Sequence, residues 1–143
     1  VVRYFTIYGP RQRPDMALAK WIARVAAGQS LELHGDGAQS RSFTYVHDAV
    51  EATIRALERA SAGAVLNVGG AEEVSMLEVI ETLEEVSGRS VEVVRAPRRQ
   101  GDQARSLADT SRVRAEIGWE PTTRFADGLA AQWRWAADRV AAR

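Results

Sequence analysis

The 143 residues contain no cysteine. That excludes disulfide frameworks, cysteine zinc sites, iron–sulfur clusters and thiol nucleophiles. Two histidines, His34 and His47, are too few for a histidine-rich metal site. Of the 19 Lys and Arg residues only Lys20 is a lysine, and 19 acidic residues bring the formal net charge to zero. A neutral chain argues against binding nucleic acid through a broad basic field. No apolar run approaches the 18 or so residues of a membrane-spanning helix. The opening stretch, Val1 to Tyr8, lacks the charged and then long apolar regions of a secretory leader, so the expected location is the cytoplasm.

What is present is ordinary for a globular domain: 45% hydrophobic and 27% charged residues. A chain of this size buries roughly 68–70% of its unfolded surface. Residues 1–8 read as a strand, apolar on both faces and stopped by Gly9-Pro10, which implies a covered sheet. Asp15 reads as the cap of a helix over about 15–27, with Leu18, Trp21, Ile22 and Val25 on one face and Gly28 as its stop. Leu31–His34 is a short strand that ends at the turn Gly35-Asp36-Gly37.

Residues 41–45 extend again. The spacing then predicts a helix over about 47–60 with Val50, Ile54 and Leu57 as its buried stripe. Residues 64–68 read as a strand closed by Gly69-Gly70. Ser75 with Glu78 forms a capping box for a helix that ends at Gly88. A strand over 91–94, a charged loop over 96–106, a short helix to Gly118 and a last helix over about 126–141 complete the chain. The four tryptophans read as core or subunit packing. Short strands and helices mix without the clean alternation of a complete doubly wound fold. The fold class is therefore α/β and resembles the end of such a protein.

Several motifs are missing. No Gly-x-Gly-x-x-Gly follows a strand, no Gly-x-x-x-x-Gly-Lys occurs, and Tyr4, Tyr8 and Tyr45 are followed four residues later by Tyr8, Gln12 and Ala49, so no Tyr-x-x-x-Lys exists. Distinctive segments remain: Arg3 to Met16 (RYFTIYGPRQRPDM), His34 to Asp48 (HGDGAQSRSFTYVHD), Asn67-Val68-Gly69-Gly70 followed by the Ser75 helix, Ala96 to Asp102 (APRRQGD), and Ala108 to Ser111 with Ile117 to Pro121.

In order and spacing these segments resemble the C-terminal part of the extended short-chain dehydrogenases, the NAD-dependent sugar-nucleotide epimerases and dehydratases. The resemblance covers nearly the whole chain. It implies that residues 1–143 form the sugar-nucleotide-binding C-terminal region, with 1–8 a residual Rossmann strand and the N-terminal NAD-binding half absent. It further implies a UDP-sugar substrate and epimerisation at C4 of UDP-glucose/galactose or UDP-glucuronate in the intact parent, where hydride leaves to NAD and returns. The Arg13–Met16 segment favours UDP-sugar epimerases over dTDP-sugar 4,6-dehydratases. A homodimer is possible in the parent. Other readings are a non-catalytic nucleotide-sugar module, an inactive fragment, or part of a dTDP-sugar 4,6-dehydratase.

The resemblance places Arg41 and Arg99 at diphosphate-binding positions, where a planar guanidinium matches phosphate oxygens. It places Asp102 where a carboxylate accepts a ribose hydroxyl, and Leu33 in the segment whose backbone reads the base. Thr6 stands where many epimerases touch the sugar, and Arg13 and Phe43 are further substrate candidates. Tyr4 and Phe5 follow the strand that faces the nicotinamide of NAD. Ser42 replaces the usual Asp, Phe43 replaces a Tyr of some members, and His47 stands at a tolerant position. Read from the residues alone, Arg41 is equally a solvated turn residue, Arg99 and Asp102 a surface ion pair, and Tyr4 and Phe5 core positions. The absence of Tyr-x-x-x-Lys leaves no catalytic candidate and points to a chain not competent alone.

Overall fold

A computed structural model describes residues 1–98 and 100–141. In chain order the elements are β1 (Val2–Tyr4), β2 (Ile7–Tyr8), α1 (Ala17–Ala26), β3 (Leu31–His34), β4 (Ser40–Ser42), β5 (Thr44–Tyr45), α2 (Val46–Arg59), β6 (Leu66–Val68), β7 (Glu73–Ser75), α3 (Met76–Ser87), β8 (Val93–Ala96), β9 (Arg105–Ser106), α4 (Ser111–Ile117) and α5 (Phe125–Ala141). The fold is mixed α/β, as the element pattern predicts. The strands form small sheets: β1 with β6, β2 with β5 and β3 with β8, all parallel, and β4 between antiparallel β7 and parallel β9.

The single strand expected over 1–8 is two strands, because the chain changes partner midway. The Phe5 amide still donates to the Val68 carbonyl at 2.9 Å, whereas the Thr6 carbonyl already accepts from the Thr44 amide at 3.0 Å. The Thr44 hydroxyl closes the junction on the Phe5 carbonyl at 2.7 Å. Nor is β1 inside a covered sheet, since Arg3 and Tyr4 are exposed.

Two cores result. The larger packs α1, α3 and α5 around Leu31 and Leu33 of β3, with Tyr8, Phe43 and Phe125 in mutual ring contact. The smaller joins Ala52 of α2, Leu66 and Val68 of β6, Val113 and Ile117 of α4, and Trp119. Trp21, Trp119 and Trp133 are buried, as expected of core tryptophans.

Two local expectations fail. Asp15 does not cap α1: the N-cap is Met16, and the Asp15 carboxylate is taken by the Arg13 guanidinium at 2.6 and 3.0 Å. The stripe Val50, Ile54, Leu57 of α2 faces solvent, with exposures of 51%, 52% and 88%. The buried face carries Asp48, Ala49 and Ala52 instead. Small side chains let α2 lie close to β6 and α4, and the Asp48 carboxylate accepts from the Thr122 hydroxyl and from the amide and hydroxyl of Thr123 at 3.1–3.2 Å. Hydrophobic periodicity selects the largest apolar face, which here is not the packed one.

The capping box at Ser75 and Glu78 forms as its spacing predicts, and Gly88 ends α3 in the left-handed region. Two glycines allow close approaches that position the later site. A Cβ on Gly70 would fall 1.8 Å from the Phe43 carbonyl oxygen, and one on Gly37 would meet Leu77 at 2.8 Å.

Candidate ligand-binding cleft

A cleft of about 630 Å³ opens between α1, β3 and the segment joining β8 to β9. That volume suits a drug-sized or nucleotide-sized ligand. Each wall follows from local sequence. The alternation of β3 turns Glu32 and His34 to one face and the buried Leu33 to the other, and all three border the cleft. Helix α1 buries Leu18 and Trp21, and its next residues around the turn, Lys20 and Arg24, line the opening.

Gln100, Gly101 and Asp102 line the cleft as part of a strap pinned at both ends. At one end β8 pairs with β3. At the other, the Arg105 guanidinium grips the Glu73 carboxylate with two bonds of 2.6 Å, and Ser40 adds a third. The Arg105 guanidinium is the main reason, and the Ser40 hydroxyl the second, that the Glu73 carboxyl is held down at about 2.

Arg41 ties the strap in the middle. It donates to the Asp102 carboxylate at 2.6 Å, to the Gln103 carbonyl at 2.8 Å and to the Ser40 carbonyl at 2.7 Å. The two side chains are only 19% and 29% exposed, so this pair is better shielded than a surface one. Arg98 donates to the Asp102 carbonyl at 3.0 Å. His34 Nδ1 faces the Pro97 carbonyl at 3.0 Å, which accepts only, so that nitrogen carries a proton. Its Nε2 lies 2.6 Å from Glu32 Oε1, a close approach without hydrogen-bond alignment.

Five of the residues singled out by sequence meet here: Thr6, Leu33, Arg41, Phe43 and Asp102. Asp102 pairs with Arg41, 61 positions away, rather than standing as half of a local loop pair. Arg99 lies outside the described residues. Arg13 is not among the lining residues and is spent on Asp15, whose carboxyl it holds below the usual range. Tyr4 and Phe5 are also off the cleft. The Tyr4 hydroxyl bonds Thr53 at 2.6 Å, and Phe5 is held by its backbone between β6 and β5.

Sequence reasoning passed over Lys20, Arg24, Gln12, Gln39 and Met76, all of which line the cleft. For Lys20 and Arg24 a signal existed, since they lie four residues apart beside the buried stripe of α1. The others depend on loop closure and leave no pattern. Gln39, for example, is placed by donating to the His34 carbonyl at 2.7 Å. The chemistry that gathers is three cations (Lys20, Arg24 and Arg41), three carboxylates (Asp15, held by Arg13; Glu32, beside His34; and Asp102, beside the central arginine), and apolar walls from Leu33, Phe43, Trp21 and Met76. This set suits an anion attached to a flat or apolar group that also carries hydroxyls.

Residues 1–132 match the family described as GDP-mannose 4,6 dehydratase. An uncharacterized UDP-glucose epimerase of Bacillus subtilis is 38% identical over 130 residues, 90% of this chain and 41% of that protein. The UDP-glucuronate 4-epimerase of Thermodesulfobacterium geofontis is 31% identical over 98% of this chain and 43% of its own length. The structure of the Bacillus cereus UDP-glucuronic acid 4-epimerase with UDP-glucuronic acid and NAD superposes with a TM-score of 0.92 at 38% identity, over 96% of this chain and 45% of that one. The chain thus spans less than half the length of the relatives it matches, and the matched portion is their C-terminal part.

Proposed function

The chain belongs to the GDP-mannose 4,6 dehydratase family, the extended short-chain dehydrogenases that act on sugar nucleotides, and from that premise we propose that it is the nucleotide-sugar-binding portion of an NAD-dependent UDP-sugar 4-epimerase, with UDP-glucose/galactose or UDP-glucuronate as substrate. The observation that carries this reading is the meeting of Arg41 and Asp102 in one cleft. One offers donors to phosphate oxygens and the other an acceptor for a ribose hydroxyl. Lys20 and Arg24 add positive charge along the opening, and Leu33 with Phe43 supplies an apolar wall for the base end.

On this reading the region 1–143 holds the nucleotide so that the sugar is presented to chemistry performed elsewhere in the parent. Arg41 stays oriented by Asp102, Gln103 and Ser40 before ligand arrives, which lowers the ordering cost of binding. Thr6, at the junction of β1 and β2, lies where the sugar end would rest. Arg99 is assigned to the second phosphate position by its place in the motif alone. NAD supplies the hydride acceptor in such enzymes. Tyr4 and Phe5, the candidates for contact with it here, lie off the nucleotide-sugar cleft, and their place on the strand that faces the nicotinamide is assigned by the motif alone. The dinucleotide is assigned to the part of the relatives that this chain does not match. The location proposed is the cytoplasm, and a homodimer is proposed for the parent.

The test is thermal unfolding with UDP, UDP-glucuronate, UDP-glucose, dTDP and NAD added singly. At a hundred times its dissociation constant a ligand adds about 2.7 kcal/mol, which raises the midpoint by several degrees. UDP compounds should raise it, NAD should not, and Arg41→Gln should weaken UDP by at least about tenfold, the loss of a charge-assisted contact. A cooperative baseline that no UDP compound moves would sink the binding role of this chain by itself.

A further inference from the structure

Arg41 is half of an ion pair before any ligand arrives. Its Nη2 donates to Asp102 Oδ1 at 2.6 Å, while its Nη1 donates to the carbonyls of Ser40 and Gln103. The two carbonyls fix the guanidinium, so it stays in place whatever the carboxylate does. Its Nε makes no hydrogen bond among the described residues. Asp102 is held differently. Its backbone carbonyl takes the Arg98 guanidinium at 3.0 Å, but its carboxylate has Arg41 as its one hydrogen-bond donor among the described residues, and Oδ2 is free. One end of the pair is therefore fixed, and the other can turn.

The other two cations of the cleft carry no such partner. Lys20 makes no hydrogen bond or ion pair among the described residues, and Arg24 gives its Nε to the Ser30 carbonyl at 2.6 Å. Asp15 is taken by Arg13, which is not among the lining residues. Arg41 alone of the three has a carboxylate at bonding distance. A carboxylate oxygen on a guanidinium nitrogen stands where a phosphate oxygen would stand, with the same charge and the same donor. A bare phosphate must expel it, and the pair is sheltered, so the expelled carboxylate is left without a counter-charge. A phosphorylated ribose brings the replacement with it, because its hydroxyls donate to a carboxylate.

We propose that Asp102 determines which anions the cleft accepts: its carboxylate is a resident counter-anion on Arg41, one that bare phosphates must displace and that a phosphorylated ribose exchanges. In the exchange Arg41 trades a carboxylate for a phosphate, and Asp102 trades an N–H donor for O–H donors, so neither charge is stranded. The inference rests on the nucleotide reading of the cleft and adds a coupling between its two halves. Ribose at Asp102 frees Arg41 for phosphate, and phosphate on Arg41 frees Asp102 for ribose. By linkage the two effects are equal. Selectivity then comes from a penalty on the wrong ligand as well as from contacts to the right one. Free phosphate and diphosphate compete poorly with a nucleotide sugar, although three cations line the cleft.

Calorimetric titration of the full chain tests this. In wild type, saturating uridine should tighten inorganic phosphate by at least about fivefold, and 2′,3′-dideoxyuridine, which lacks the hydroxyls, should not. Asp102→Asn keeps the size and removes the charge. It should bind inorganic diphosphate at least about tenfold more tightly than wild type, lose the uridine effect, and show a preference for UDP over diphosphate reduced at least about tenfold. Asp15→Asn removes the same charge from another part of the lining and should leave that preference at its wild-type value. Independent binding of uridine and phosphate to wild type would overturn the proposal, and that measurement stands even where the Asn variant does not fold. So would a folded Asp102→Asn chain with unchanged diphosphate affinity. UDP binding with uncoupled halves sinks this proposal and spares the nucleotide reading. Diphosphate gained by Asp102→Asn, with UDP bound by no form, sinks the nucleotide reading and upholds the masking of Arg41.

Discussion

The two cores of this chain are closed to different degrees. Around the cleft, helices α1, α3 and α5 cover β3 and the rings of Tyr8, Phe43 and Phe125, and polar side chains seal the seams. Gln132, 2% exposed, accepts from the Gly9 amide at 2.9 Å and donates to Gln12 at 2.8 Å, which ties α5 to the loop after β2. Arg89 holds the end of α1 through the carbonyls of Val25 and Ala26 and lies over the Trp133 ring. The smaller core has a two-stranded sheet, two helices and a bare apolar flank. A core that closes on itself supports a site without help, whereas one left open on one side is stable in proportion to what covers it.

Trp119 offers the strongest way to break the comparison. It is fully buried and is the largest side chain of the small core. Trp119→Ala should cost about 3–5 kcal/mol, the range for deleting a buried aromatic. If the cores are separable, hydrogen exchange in that variant quickens over Leu66–Val68 while Leu31–Leu33 stay protected. Uniform quickening would show one cooperative unit and dissolve the distinction. Asp48 tests the seam between the cores, because it sits on α2 and holds Thr122 and Thr123 ahead of α5. Asp48→Ala should cost about 1–3 kcal/mol, since it strands buried donors. Asp48→Asn, which keeps one oxygen, should cost less. Urea midpoints for the pair decide it, and equal losses would mean that the seam needs the full carboxylate, neither one accepting oxygen nor the side-chain volume being enough.

The chain's elements were largely legible where signals are local. The Ser75 box, the buried face of α1 and the Gly35–Gly37 turn follow from residue chemistry within a few positions. The motif resemblance placed Arg41 and Asp102 in a ligand site, and the structure shows them sharing a bond across 61 positions, which no local pattern encodes. The strand over 1–8 misled because its apolar character suits a sheet larger than the one described here. The α2 stripe misled because periodicity marks the largest apolar side chains, Val50, Ile54 and Leu57, whereas the packed face carries Asp48, Ala49 and Ala52. Asp48 was read only as part of a motif, although its burial and three bonds give it a structural part. A carboxylate that serves the fold and one that serves a ligand look alike in sequence.

The smallest effect concerns the clamp at the end of the strap. Glu73 is exposed, so its pairing with Arg105 is screened and contributes modestly. Its sign is nevertheless definite. The Arg105 guanidinium, and after it the Ser40 hydroxyl, depress the Glu73 carboxyl from its ordinary 4.5 to about 2. A depressed acid stabilises the folded chain above its unfolded value, and that contribution fades as pH falls toward the folded value. Wild type should therefore lose stability relative to Glu73→Gln between about pH 4.5 and 2, and the two should run parallel above that window. Urea midpoints measured across the window give the difference directly, and added salt should shrink it. The strap between β8 and β9 carries Asp102, so the same variant should weaken UDP binding slightly at neutral pH. An unchanged acid profile would mean that the strap is held by Arg41 and the β-pairings alone, and the larger core would then owe nothing to its surface clamp.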